Sequence, residues 1–256
     1  QPGKIPLAFL QHQVPKIWQD DFMPVEWPMD RSREWCPPGH GDLYTALVNT
    51  GLLDLLLRQG YHYAFVANAD NLGATPDPDI LGFFAKKHLP FMMEVTDRTE
   101  TDKKGGHLAV FKNGRFLLRE RAQCPAHELA AFEDITHHRY FNTNNIWIDL
   151  RRLKKMMGQY DNVLGLSLII NRKPVDPADP DSPSVYQLET AMGSAISLFS
   201  DAQALRVPRS RFAPVKTTDD LLAVRSDAYV LTRENFLISN PKRKADPPVV
   251  HLDAAF

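Results

Sequence analysis

The stretch that most constrains the fold runs from Tyr61 to Ala74, YHYAFVANADNLGA. Tyr63, Ala64, Phe65, Val66 and Ala67 form an apolar run with aromatic and β-branched side chains, too short for a helix. Apolar on both faces, it suits a central strand covered on each side by helices. Asn68, Asp70 and Asn71 follow at once, ahead of Gly73. Polar groups at the carboxyl end of a central strand are where open α/β sheets bind ligands. A lone aspartate flanked by amides also suits a hard cation, and Mg2+ held by few carboxylates usually shares a phosphate. An Asx turn leaving a strand explains the same residues without any chemistry.

The chain has 256 residues, room for one large α/β domain or for a domain with a small lobe. Its 30 Lys+Arg oppose 31 Asp+Glu, which offers no general electrostatic case for nucleic acid or an anionic membrane. No apolar run approaches the roughly 18 to 20 residues of a bilayer span, and the opening QPGKIPLAFL lacks the pattern of a signal peptide. Cys36 and Cys124 have no metal-type spacing and fit inert thiols in a reducing compartment. A soluble, cytoplasmic protein is the expectation.

Taken in order, KIPLAFLQH reads as a strand with Ile5, Leu7 and Phe9 on one face. Gln11, at its end, is placed to read an amide edge such as that of uracil. Trp18, Phe22, Trp27 and Trp35 are expected to pin an irregular connection onto the core. The loop Pro37-Pro38-Gly39-His40-Gly41-Asp42 precedes a helix with Asp42 as N-cap, a break near Gly51 and an end at Gly60. Two glycines and His40 at a positive helix end form a candidate anion site, with a plain Pro-Gly turn as the alternative. TPDPDILGFFAKKH reads as a helix, PFMMEVTDRT as a strand, and Asn113-Gly114 as the turn of a hairpin.

Gly105-Gly106, after two lysines, offers backbone N–H groups. Glu120, between Arg119 and Arg121, either accepts sugar hydroxyls or forms an ion pair. Asn142, Asn144 and Asn145 read as a strand-to-helix junction whose amides suit neutral hydroxyls. His137-His138 reads as a solvent-facing loop without metal. SLIIN is expected as a strand, and a helix from about Val185 to Phe199. Arg209, Arg211 and Lys216 would project from a Pro-punctuated strand ahead of a helix capped at Thr217. Three cations there point to a polyanion such as a triphosphate.

Together PPGHGDLYTAL, NADNLGA, TDKKGGHLA, FNTNN, VYQLETAMG and VPRSRFAPVKTTDDLL, in this order, resemble the eukaryotic-type UTP–glucose-1-phosphate uridylyltransferase (UDP-glucose pyrophosphorylase) family over nearly the whole chain. The resemblance implies an α/β nucleotidyltransferase fold related to the GT-A class, with a mixed, mostly parallel sheet flanked by helices. It implies the Mg2+-dependent, reversible reaction of UTP with glucose 1-phosphate to give UDP-glucose and pyrophosphate. By position it places Gln11 and Gly39 around the uracil, and His40 and Asn68 on the glucosyl phosphate. It makes Asp70 the metal-binding residue on the nucleotide. Gly105, Gly106, Glu120 and Asn144 fall in the glucose pocket, and Lys216 is the catalytic lysine that reaches the phosphates.

Two departures from the family pattern matter. Residues 1–35 contain no counterpart of its Gly-rich loop, and the chain stops before its C-terminal β-helix, the implied route to a homo-oligomer. Residues 1–256 are therefore expected to form a partial catalytic domain, inactive alone, with 240–256 a link onward. Alternative readings are a UDP-N-acetylhexosamine pyrophosphorylase and a non-catalytic UDP-sugar-binding module. The expected chemistry needs no Ser/His or Cys/His pair, because a sugar phosphate is already an anionic nucleophile near neutral pH. Direct in-line attack on the α-phosphorus requires alignment and charge neutralisation instead.

Overall fold

A computed structural model describes residues 4–234, 236–245 and 248–253. Within the expected link 240–256, positions 246, 247 and 254–256 lie outside the described residues. Strands β1 (Val14–Pro15), β2 (Ile17–Trp18) and β3 (Trp35–Cys36) are followed by helices α1 (Leu43–Asn49) and α2 (Leu52–Arg58). Gly51 separates the helices at a φ of 70°, and Gly60, at a φ of 86°, follows the end of α2. Next come β4 (Tyr63–Val66), α3 (Pro78–Lys86), β5 (Phe91–Asp97) and the hairpin β6 (His107–Val110) and β7 (Phe116–Arg119), turned at Asn113-Gly114. Then follow α4 (Leu129–Phe132), β8 (Tyr140–Asp149), α5 (Leu150–Gln159), β9 (Leu168–Pro174) and β10 (Ser184–Thr190). Strand β11 (Gln203–Arg206), α6 (Thr218–Arg225), β12 (Tyr229–Leu231) and β13 (Leu237–Ser239) complete the order.

The main sheet runs β11-β5-β8-β6-β7, and β4 pairs with the other half of β8 on the β6 side. It is mixed and flanked by helices. Among the described residues only the β5–β11 ladder is parallel, yet β4, β5, β6 and β11 all point one way against β7 and β8. Side chains alternate across it. Phe91, Met93 and Val95 join Ile146 and Ile148 in a core with Leu52, Leu53, Leu153 and Met157 from α2 and α5. Met92 and Trp147 face the opposite way, onto Phe84 of α3. A smaller cluster of Val25, Val175 and Val185, with Trp18 and Trp27 against it, anchors the early connection.

Several expectations change. The Ile5–Phe9 segment makes no ladder, and Leu7 is fully exposed, because among the described residues no strand lies beside it to reward its alternation. Strand β4 is not central among the described residues: it pairs only with β8 and its side chains are half-buried. The Val185–Phe199 helix is instead strand β10 followed by a 3-10 segment, Met192–Leu198. Val185 and Tyr186 pair with both β9 and β2, so β-branched and aromatic packing outweighs the helical spacing. Arg209–Arg211 is a 3-10 turn, not a strand.

The FNTNN segment lies inside β8, not at a junction. Met93 pairs with Ile146 and Val95 with Asn142, so Glu94 alone faces three residues of β8. Asn144 absorbs this bulge at a φ of 59°, a left-handed conformation that asparagine tolerates. The junction comes later, where Asp149 caps α5 through the N–H groups of Arg151 and Arg152.

Candidate active site

Gln11, His40, Asp42, Asn68 and Met192 line one open pocket of about 250 Å³ at the mouth of β4. Its floor is the turn Gly39–Asp42. Gly39 has a φ of 82°, and a Cβ there would lie 2.5 Å from the Thr190 carbonyl oxygen. Gly41 packs equally closely on the Thr190 side chain. The two glycines therefore serve close approach to β10 rather than a phosphate-wrapping loop. Thr190 closes the seat by donating its N–H to the Pro38 carbonyl at 2.8 Å. Gln11 Nε2 donates to the Gly39 carbonyl at 2.6 Å. Asp42 precedes α1 without capping it through its side chain; its carboxylate accepts the N–H of His12 and contacts that ring.

His40 Nδ1 accepts the N–H of Met192 at 3.0 Å. That bond assigns the neutral ring's proton to Nε2, leaving a donor for an anionic ligand. Desolvation by the surrounding protein lowers the His40 pKa even though the residue keeps an exposed edge, against a smaller opposing pull from Glu189. The Met192 N–H bond to Nδ1 and the net lowering of the pKa both favour the neutral ring.

Asp70 and Lys216, distant in sequence, lie on paired backbones. Val215 donates its N–H to the Asp70 carbonyl at 2.9 Å, Leu72 donates to the Ala213 carbonyl at 3.0 Å, and Asn71 bridges Pro214. Lys216 is exposed, and no described carboxylate lies within ion-pair distance of its ammonium. The expected trio of cations does not hold. Arg209 forks onto Asp102 at 2.6 and 3.0 Å, and buried Arg211 binds Glu94. Carboxylates from distant segments neutralise both arginines, which sequence spacing could not reveal.

The Gly105-Gly106 turn, Glu120 and the β8 bulge form a second group of candidates. Gly106 presses against the Glu120 carboxylate, where a Cβ would lie 2.5 Å from Oε1, and its carbonyl accepts the Asn142 N–H at 3.1 Å. Asn142 and Asn144 are stitched to each other by side-chain and backbone bonds. Two of the three amides thus serve the bulge itself, since Asn145 is fully buried against Glu94. Burial pushes the Glu120 pKa up to about 7. Its neighbours Arg119 and Arg121 pair instead with Glu128 and Glu133, so the ion-pair alternative for Glu120 fails. His138 is not simply solvent-facing, because it stacks on buried His107 at 3.9 Å.

The two groups meet at Met192-Gly193: Met192 lines the first pocket and Gly193 packs on the Asn142 amide. Sequence reasoning missed Glu94, and with it the buried partners of Asn71 and Asn145, two residues it had noticed for other reasons. The available signal was a carboxylate inside the apolar run PFMMEV, which burial would oblige to find partners.

The profile of the family described as UTP–glucose-1-phosphate uridylyltransferase matches residues 3–256. The barley (Hordeum vulgare) protein of that name is 43% identical over 97% of this chain and 51% of its own length. A probable member from Schizosaccharomyces pombe is 39% identical over 98% of the chain and 49% of its own. The chain thus spans about half the length of the curated relatives it matches. A UDP-glucose phosphorylase structure from Trypanosoma brucei superposes with a TM-score of 0.87 at 54% identity, covering 96% of this chain and 53% of that one. A UDP-glucose pyrophosphorylase from Leishmania major gives 0.88 at 51% identity, covering 96% and 54%.

Proposed function

The chain belongs to the UTP–glucose-1-phosphate uridylyltransferase family, and on that premise we propose that it carries substrate- and metal-binding parts of an enzyme joining UTP and glucose 1-phosphate into UDP-glucose and pyrophosphate. The observation that carries the reading is the backbone pairing of the Asp70 loop with the segment bearing Lys216, beside the Gln11–His40–Asn68 pocket.

Two polyanions must be brought together without their charges keeping them apart. Asp70 is half-buried, no described residue donates to its carboxylate, and no group of three or more metal-binding side chains occurs among the described residues. One open carboxylate fits Mg2+, an ion usually held by one or two carboxylates and substrate phosphates. Asp70 would hold it, and the ion would supply charge neutralisation on the phosphates. Lys216 delivers a mobile positive charge from the other side of the seam. His40 donates Nε2–H to the sugar phosphate, Gln11 and the Gly39 backbone take the uracil edge, and Asn68 flanks the phosphates. Glu120, Asn144 and the Gly105-Gly106 backbone hold the glucose hydroxyls. The sugar phosphate then attacks the α-phosphorus in line and pyrophosphate leaves, with no proton transfer to a side chain required.

Lys216→Ala in the full-length protein should lower turnover on the order of 10²-fold or more, the loss expected on removing a donor to developing charge. Steady-state pyrophosphate release measures it, and near-normal turnover refutes the assignment. Asp70→Asn should raise the Mg2+ concentration for half-maximal activity. A cytoplasmic setting belongs to the same proposal, supported by two free cysteines. Among the described residues no helix is long and apolar enough to cross a membrane.

A further inference from the structure

Behind the Asp70–Lys216 seam lies a charged network that takes no part in the chemistry proposed above. Glu94 is completely buried in β5. Its Oε2 accepts Arg211 Nε at 2.6 Å and Asn145 Nδ2 at 3.0 Å. Its Oε1 accepts Arg211 Nη2 at 2.7 Å and Trp147 Nε1 at 2.8 Å. Each oxygen therefore has two donors, and the guanidinium is held by a two-point fork.

Arg211 carries the restraint outward. Nη2 also donates to the Thr75 carbonyl at 2.9 Å, and the Arg211 carbonyl accepts Asn71 Nδ2 at 3.1 Å. Asn71 is saturated: its Nδ2 also donates to Asn145 Oδ1, and its Oδ1 accepts the N–H groups of Gly73 and Ala213. One side chain on the Asp70 loop thus clasps both β8 and the strip leading to Lys216. Gly73 fits against the Ser210 carbonyl so closely that a Cβ there could not be accommodated.

Burying a fork of this kind is a poor way to gain stability, since well-packed apolar residues of similar volume often serve as well. Its distinctive property is directional registry, because displacement of any member strands a buried polar group. We propose that Glu94, acting through Arg211 and Asn71, is a positioning residue that sets the spacing between Asp70 and Lys216, and so between the metal-bound and lysine-bound faces of the phosphates. This rests on the proposed function.

The test is made in the full-length protein with the double substitution Glu94→Met plus Arg211→Met, which removes the fork and leaves no lone buried charge. If Glu94 positions the seam, UDP-glucose binding by calorimetry stays within about threefold of wild type, because Gln11, His40 and Glu120 sit on other elements and Asn144 is held in the β8 bulge by Asn142. Turnover falls at least tenfold, and half-maximal Mg2+ rises at least fivefold. Turnover and Mg2+ dependence within twofold of wild type overturn the proposal. So does a parallel loss of turnover and UDP-glucose binding with unchanged Mg2+ dependence, which marks a purely structural role. If the double variant does not fold, Arg211→Lys, which keeps the charge and loses the fork, is judged by the same readouts; if it does not fold either, the network is structural and the proposal falls. Lys216→Ala and Asp70→Asn serve as controls. Their failure to impair turnover defeats the functional reading itself, whereas their impairment beside a normal fork variant defeats only the positioning role.

Discussion

Two loops present Gly39, His40, Asn68 and Asp70, and opposite devices hold them. The Gly39–Asp42 turn is seated by contact: the absence of two Cβ atoms lets it lie on Thr190, with one backbone bond across the join. The Asn68–Ala74 loop is seated by charge and amide, through Asn71, Arg211 and Glu94. The first device excludes anything larger than hydrogen at two positions and needs no buried charge. The second tolerates some change of shape but requires every member to be present, since buried polar groups are expensive alone. On the proposed assignments, a neutral uracil edge needs a wall of fixed shape. Phosphates and a cation need charges at fixed separation, which suits a directional network.

The comparison can be broken most sharply at Gly39. Gly39→Ala should destabilise the full-length protein by about 2–4 kcal/mol, combining a left-handed backbone with backbone overlap. Gly51→Ala shares the positive φ but meets nothing within 4 Å, so it should cost only about 1–2 kcal/mol. Denaturant titration of both isolates close approach, and equal losses would remove the contact device from the account. A smaller effect is expected on the other side of the seam. Thr217 caps α6 directly after Lys216, its hydroxyl accepting the Asp220 N–H while Asp220 accepts the N–H of Thr217. Thr217→Ala should cost about 1 kcal/mol, and turnover should fall by less than for Lys216→Ala, because the seam at Val215 remains.

The smallest effect concerns pH. Burial raises the Glu120 pKa to about 7 from an ordinary value of 4.5, so the folded protein holds a proton there that the unfolded chain has released. Stability therefore declines as pH rises across that interval and levels off above about 7. Sugar hydroxyls donate to the ionised form, so their binding should expel the proton and UDP-glucose affinity should improve between pH 6 and pH 8. Calorimetry across that range checks this, and Glu120→Gln should flatten the profile. An unchanged slope in that variant assigns the titration to another group.

Local chemistry was legible where the chain itself supplied every partner. The Gly51 break, the Gly60 end, the Asn113-Gly114 hairpin and the Thr217 cap all follow from residues within a turn of one another. Signals that depended on distant partners misled. Ile5, Leu7 and Phe9 alternate like a strand but have no ladder, and Val185 to Phe199 has helical spacing that β9 and β2 override. The asparagines of FNTNN drew notice as a group, yet their work is divided between a bulge and a buried carboxylate.

By itself the sequence determined the family, the mixed α/β class and the candidates Asp70 and Lys216, because ordered motifs and residue chemistry are properties of the chain. Only the tertiary structure decided that Arg209 and Arg211 are neutralised by Asp102 and Glu94, and that Asp70 and Lys216 share a seam. Charge pairing and registry depend on distance in space. In this chain the paired groups are separated by more than a hundred residues.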